Sequence, residues 1–182
     1  MIALRNLQPS DVHLLLEWRN GPDVAQYMFT NHVISVAEHE TWFANVLQDA
    51  RRQYWVITCD GHDLGLTSLD DLDMANRRCS WAIYLAEESA RGKGVGSAAE
   101  FLALTHAFES LFMNRLSCTV LATNKRMIDL QLGFGLREEG RMKQYVLRDD
   151  GPMDAVLFAI LREEWLALKD GIAARLTRMG LI

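Results

Sequence analysis

Apolar residues along this chain follow two rhythms, short alternating or continuous runs and longer stretches at helical spacing, separated by polar and glycine-rich breaks. Ile2 to Asn6 predicts an edge strand. Pro9-Ser10-Asp11 supplies a helix start before Val12, Leu14, Leu15, Leu16 and Trp18, and Asn20-Gly21-Pro22 ends that helix. A second short segment, Val24 to Met28, leads into Phe29-Thr30-Asn31-His32, a loop of aromatic and polar groups. Ser35 and Glu38 stand at capping-box spacing, in which hydroxyl and carboxylate each satisfy an orphan backbone donor. A helix is therefore expected from about Val36 to Leu47, with Trp42, Phe43, Val46 and Leu47 as its apolar side.

Tyr54 to Thr58 and Asp63 to Leu69 read as a hairpin turned at Asp60-Gly61. Asp70, Asp71 and Asp73 read as a solvated turn, because their spacing lacks the continuation of a calcium loop, and no metal is expected. Ser80 to Leu85 is a central strand, followed by a glycine-rich loop and a helix reaching about Leu111. Leu116 to Thr123 is the next strand, ending in Asn124, and Lys125 to Leu132 a short helix closed by Gly133-Phe134-Gly135. Glu139 to Leu147 and Met153 to Leu161 pair around Asp149-Asp150-Gly151-Pro152. From Arg162 an amphipathic helix carries Trp165, Leu166, Leu168 and Leu176. The order mixes α and β, with one strand–helix–strand crossover at its centre. No linker, repeat or low-complexity segment interrupts it, so one domain over residues 1–182 is expected.

Composition narrows the classes. The 182 residues are 49% apolar and 24% charged, which fits neither a disordered nor a membrane chain. A net charge of −5 gives no nucleic-acid footprint. Cys59, Cys79 and Cys118 are odd in number, far apart and without a CxxC pair, and read as buried thiols in a reducing compartment. No signal peptide opens the sequence and no apolar run reaches membrane-span length, so a cytoplasmic protein is expected.

The chemistry concentrates at Arg91-Gly92-Lys93-Gly94-Val95-Gly96. Glycines there permit positive φ and let an anion approach, and the first N–H groups of the following helix lack intrahelical partners. Such a loop suits phosphate. It is not a dinucleotide fingerprint, which needs G-x-G-x-x-G, nor a P-loop, since Lys93 is followed by Gly94 rather than Ser or Thr.

The strand followed by R-x-x-G-x-G resembles motif A of the GCN5-related N-acetyltransferase (GNAT) superfamily, and the order of elements resembles that fold along nearly the whole chain. The resemblance implies an α+β fold with a mixed, mostly antiparallel twisted sheet, splayed central strands and flanking helices. It implies acetyl-CoA as acetyl donor, its pyrophosphate received by Arg91, Gly92, Lys93, Gly94, Val95 and Gly96. Ile83, Tyr84 and Leu85 would pair with the pantetheine arm and aim an N–H at the acetyl carbonyl, and Asn124 would hold the pantetheine or adenosine side. The family often protonates the departing thiolate with a tyrosine on the helix after Asn124. Here that position falls on Gln131 counted from Asn124, or on Asp129 counted back from Gly133. Tyr84 and Tyr145 are the substitute candidates; a modestly basic thiolate could also leave unaided.

Within the superfamily, Leu16-Glu17-Trp18-Arg19-Asn20, Tyr27 to His32, Ile34-Ser35, Glu38-His39 and Trp42-Phe43 look like the acetyltransferases of pseudaminic acid biosynthesis, which act on flagellin-glycan precursors. That resemblance implies a small-molecule amine acceptor, the 4-amino group of a UDP-linked 4-amino-4,6-dideoxy-N-acetyl-altrosamine, with Met28, Phe29 and Tyr84 lining the sugar pocket. Aromatic and thioether groups suit the apolar faces of a deoxysugar. Arg19, Arg77, Arg78 and Lys143 are candidates for its diphosphate. Trp18 and Trp42 read as core, and His32 and His39 lie near the acceptor mouth. Relatives that acetylate ribosomal-protein N-termini or polyamines are the nearest alternative, and Asp70, Asp71 and Asp73 could serve a polyamine. A non-catalytic acetyl-CoA-binding module is the third reading. Related folds pair along their late strands, which allows a homodimer.

Overall fold

The structure, a computed structural model, describes residues 1–149 and 151–182. Seven strands form one sheet in the order β1-β2-β3-β4-β5-β7-β6. β1 (Ile2–Asn6), β2 (Gln53–Cys59), β3 (His62–Asp73) and β4 (Arg78–Leu85) are antiparallel neighbours. β5 (Arg115–Leu121) lies parallel to β4, and β7 (Gly151–Leu161) and β6 (Arg137–Arg148) complete the sheet antiparallel. The crossover from β4 to β5 is α4 (Val95–Thr105), which runs on through a π-helical turn at His106–Ser110.

Helices cover both faces. On one, α4 and α6 (Arg162–Arg178) bury Ala99, Ala103, Leu104, Phe108 and Trp165 with Leu69, Trp81 and Phe158 of the sheet. The small residues of α4, Ala98, Ala99 and Ala103, let its backbone lie close over the sheet. On the other, α1 (Val12–Asn20) and α3 (Val36–Gln48) bury Leu15, Trp18 and Phe43 against Val56 and Leu66. This second buried cluster is the smaller of the two.

Several elements differ from the sequence expectation for identifiable reasons. The segment after α1 is a single helical turn, α2 (Pro22–Ala25), begun by Pro22. Ser35 Oγ accepts from Glu38 N at 3.3 Å, but the Glu38 carboxylate turns outward to His32 Nε2 at 3.0 Å, so the capping box is half formed. On α3 the inward side is His39, Phe43 and Val46, while Leu47 is 48% exposed; the apolar stripe is offset by one position because His39 is buried. Asp70 is not in a turn. β3 continues to Asp73, with a bulge between Asp70 and Asp73 that puts Asp71 at φ 52°. Asp73 binds Asn76 and Arg78, so the three carboxylates do not face one site. The hairpin at Asp60-Gly61 is as expected, both residues having positive φ. Asp150, part of the expected Asp149-Asp150-Gly151-Pro152 turn, lies outside the described residues.

Candidate active site

β4 and β5 pair only at Arg78–Arg115, Cys79–Leu116 and Ser80–Ser117. Beyond Ser80 the strands part, and the edge of β4 from Trp81 to Leu85 faces a cleft instead of a neighbour. That cleft, of about 830 Å3, is walled by Trp81 to Leu85 on one side and Cys118 to Leu121 on the other. Buried backbone groups need partners, so an extended chain carrying amides fits between the strands.

One contact sets the course of β4. Ala86 and Glu87 both donate to Leu64 O, at 2.9 and 3.2 Å, which pulls the end of β4 onto β3. The Tyr84 carbonyl then lies so close to Gly65 that a Cβ there would sit 2.2 Å from its oxygen. Only glycine permits this approach.

The glycine loop closes one end of the cleft. Gly92 and Gly94 have φ of 76° and 82°, and Gly94 begins α4 with no side-chain cap. The cleft wall includes Gly94, Val95, Gly96 and Ser97, the segment whose N–H groups precede the first intrahelical bonds. This helix end can hold an anion. Arg91 ties the loop down: Nη1 donates to Asp23 at 2.8 Å and Nη2 to the carbonyls of Leu85 and Ala86, each at 3.2 Å. Lys93 is exposed and lies outside the wall. Asn124 lines the cleft and caps α5 (Lys125–Gly133), its Oδ1 accepting from Met127 N at 3.2 Å. Gly135, at φ 84°, ends α5 as expected.

The other end of the cleft is roofed by residues 26–30. Met28 and Phe29 line it, as does Tyr84. Arg19 Nη2 holds Thr30, and Arg148 on β6 reaches the carbonyls of Gln26, at 3.0 Å, and Met28. Arg148 acts across 120 residues of sequence, and no local pattern marks it. Arg19 Nη1 and Arg148 Nε are buried and make no hydrogen bond. Burial pushes the Arg19 guanidinium below its ordinary value, with the Arg148 charge pulling the same way.

A second cavity of about 350 Å3 adjoins the first, and Arg19, Met28, Thr30, Ala82, Ile83 and Tyr84 line both. Trp18 is core, as expected, but Trp42 lines this second cavity. Tyr84 stands at the junction, and burial pushes its phenol up, so it is a neutral donor at neutral pH. Tyr145 is 51% exposed on β6, its ring edge-on to Phe29 at 5.8 Å and outside the cleft wall. Of the two positions where a motif tyrosine was sought, Gln131 is buried, accepting from Cys118 Sγ at 3.2 Å, whereas Asp129 lines the cleft. Cys118 is no nucleophile, since burial pushes its thiol far up. Among the described residues no group of His, Cys, Asp and Glu could hold a metal, and no helix is long and apolar enough to cross a membrane.

Residues 2–137 match the family model of the acetyltransferase (GNAT) domain. The chain belongs to the GNAT family. It is an acetyl-CoA-dependent N-acetyltransferase. Among other GNAT proteins it is similar to YdaF of Bacillus subtilis, named for ribosomal N-acetylation, at 29% identity over 90% of this chain and 93% of that one. It is 29% identical to the acetyltransferase PseH of Campylobacter jejuni, over 80% of this chain and 92% of the other. The fold is also that of the Vibrio cholerae spermidine N-acetyltransferase solved with CoA and spermine, with a TM-score of 0.84 at 21% identity, covering 91% and 98% of the two chains. The splayed β4 and β5 and the uncapped glycine loop are thus features of the cleft of a GNAT protein.

Proposed function

We propose that this GNAT enzyme transfers the acetyl group of acetyl-CoA to the 4-amino group of a UDP-linked 4-amino-4,6-dideoxy sugar of the N-acetyl-altrosamine type. The supporting observation is the buried, unpaired guanidinium nitrogen Arg19 Nη1, from a residue that lines the cleft together with Met28, Phe29 and Tyr84. A buried guanidinium donor without a partner is costly, and a diphosphate would satisfy it. A polyamine would instead be repelled at Arg19; of the three carboxylates that could bind one, Asp71 and Asp73 are engaged with Ser80, Asn76 and Arg78, and Asp70 lines the second cavity.

In this reading the uncapped amides from Val95 to Ser97 receive the pyrophosphate of the acetyl donor, and Arg91 keeps their loop against β4. The free edge of Ile83, Tyr84 and Leu85 takes the pantetheine amides, and Asn124 borders the same arm. An N–H of that edge stabilises the oxyanion as the amine nitrogen attacks the thioester carbon; such a donor is worth about 3 kcal/mol. The C–N bond forms, the C–S bond breaks, and Tyr84 supplies the proton the thiolate takes up. Tyr145 is the second candidate for that proton.

Thiol release from acetyl-CoA, measured with the UDP-4-amino sugar, spermidine and an N-terminal peptide, tests the acceptor. Sugar-selective turnover is expected, with Arg19→Ala raising KM for the sugar about tenfold and leaving acetyl-CoA binding intact. Turnover with spermidine or peptide alone, or silence with all three, would overturn the acceptor assignment.

A further inference from the structure

The second cavity contains polar machinery that the acetyl-CoA cleft does not use. Ser68 and Asp70 on β3, Tyr54 on β2 and His39 on α3 form its polar wall, and the rings of Trp42 and Tyr54 form its aromatic one. Asp70 receives two hydroxyl protons, from Tyr54 Oη to Oδ1 at 2.8 Å and from Ser68 Oγ to Oδ2 at 2.6 Å. With their protons committed to Asp70, both hydroxyl oxygens keep lone pairs for a donor entering the cavity. Burial pushes the Tyr54 phenol up, so it stays a neutral hydroxyl.

Strand register sets the distance to the reaction. Ser68 pairs with Ala82 on β4, and Ala82 is already past the last β4–β5 pair at Ser80. Neighbouring strands are about 4.8 Å apart, so the Ser68 hydroxyl stands one strand away from the free edge, on the side where the cavity meets the cleft. His39 supplies an independent observation. It is 3% exposed, its Nε2 is buried without a partner, and it lines the cavity beside Trp42, ring centroids 5.1 Å apart. Burial lowers the His39 value, so the imidazole is neutral and has a hydrogen-bonding position open to a polar group in the cavity.

We infer that this cavity is the acceptor site for a primary ammonium on a ring-shaped carrier, and that Asp70 takes up, through Ser68, the proton the ammonium must lose before attack. The inference rests on the acetyl-transfer reading above. The proton passes from nitrogen to Ser68 Oγ as the Ser68 hydroxyl proton passes to Asp70 Oδ2. The freed lone pair attacks the thioester carbon and expels the thiolate. The second proton lost by nitrogen balances the one gained by sulfur, and Asp70 releases its own to water as product leaves. Ser68 is the group in contact with the amine; Asp70 acts through it. The charged groups around Asp70 are Arg52, whose Nε is 3.9 Å from Oδ1, neighbouring Asp71, and Arg19, Glu38 and His39 across the cavity. Glu38 is engaged by His32 at 3.0 Å.

The test compares wild type, Asp70→Asn and Ser68→Ala with two nucleophiles, the UDP-4-amino sugar and methoxyamine, whose nitrogen is already unprotonated at neutral pH. Both substitutions are expected to lower kcat/KM for the sugar about 10²-fold and to move the acid limb of its pH profile toward the ionisation of the amine itself. With methoxyamine they should change kcat/KM less than about threefold. The melting shift given by acetyl-CoA should persist in both variants, which verifies folding. Equal losses with both nucleophiles, or an unmoved pH profile, would overturn the relay while leaving acetyl transfer standing. A wild-type enzyme that acetylates neither nucleophile would overturn both readings together.

Discussion

Replacing Gly65 by alanine tests how β4 is shaped for the thioester. The added Cβ would stand 2.2 Å from the Tyr84 carbonyl oxygen and 2.9 Å from Leu85 Cα. Ordinary carbon contacts begin well beyond 3 Å, so β3 and β4 must part by roughly 1 Å. The obstructing atoms are backbone, held by the bonds from Ala86 and Glu87 to Leu64, and no rotamer change relieves them. Overpacking of this kind costs about 1–3 kcal/mol, which in a chain of this size lowers Tm by roughly 2–12 °C. The catalytic loss should exceed the stability loss, because a displacement of about 1 Å at a reacting centre can cost about 10²-fold in rate. The assay is thermal unfolding by circular dichroism beside kcat/KM for acetyl-CoA below the transition. Gly140→Ala is the control, since a Cβ there meets nothing within 4 Å. A Gly65→Ala protein with the melting point and kcat/KM of Gly140→Ala would refute the assignment of Gly65 as the fulcrum of β4.

Three further outcomes are expected. Tyr84→Phe should lower kcat about 10²-fold with little change in KM, while Tyr145→Phe, at an exposed ring outside the cleft wall, should leave kcat within about twofold; stopped-flow thiol detection separates them. Arg91→Ala removes charged hydrogen bonds to Leu85, Ala86 and Asp23, worth about 1.5–3 kcal/mol together with the loop they hold, and should raise the Kd for CoA roughly 10- to 100-fold by calorimetry. Glu100 is fully buried with the Gln131 side chain as its polar neighbour, and burial, outweighing that contact, raises its value well above the ordinary range. The folded state therefore holds a proton that the unfolded chain gives up above about pH 4.3, and stability falls as pH rises from there toward the raised folded value. Glu100→Gln should remove that fall, so denaturant melts of variant and wild type should diverge by up to about 1.4 kcal/mol per pH unit above pH 4.3.

The elements that carry the cleft between β4 and β5 were legible because each is announced locally. The run from Ser80 to Leu85, the three glycines at 92, 94 and 96, and Asn124 at a helix start all declare their conformations within a few residues. The wall of the second cavity was less legible. Asp70 read as a turn residue because three aspartates in four positions look solvated; it lies in a strand because β3 continues past its bulge to Asp73. Trp42 read as core because periodicity marks it as apolar and cannot tell a wall from a filling. Arg148 carries no signal at all.

By itself, the sequence determined the order of strands and helices, the uncapped glycine loop and the absence of a motif tyrosine at either expected position. These depend on backbone preference and spacing, which are local. Tertiary structure alone decided that β4 and β5 part at Ser80, that Gly65 bears the Tyr84 carbonyl, and that Tyr54, Ser68, Asp70 and His39 meet around one cavity. Those outcomes follow from strand register and from the packing of helices on the sheet, which sum contacts between residues far apart in the chain, and no short window of sequence contains that sum.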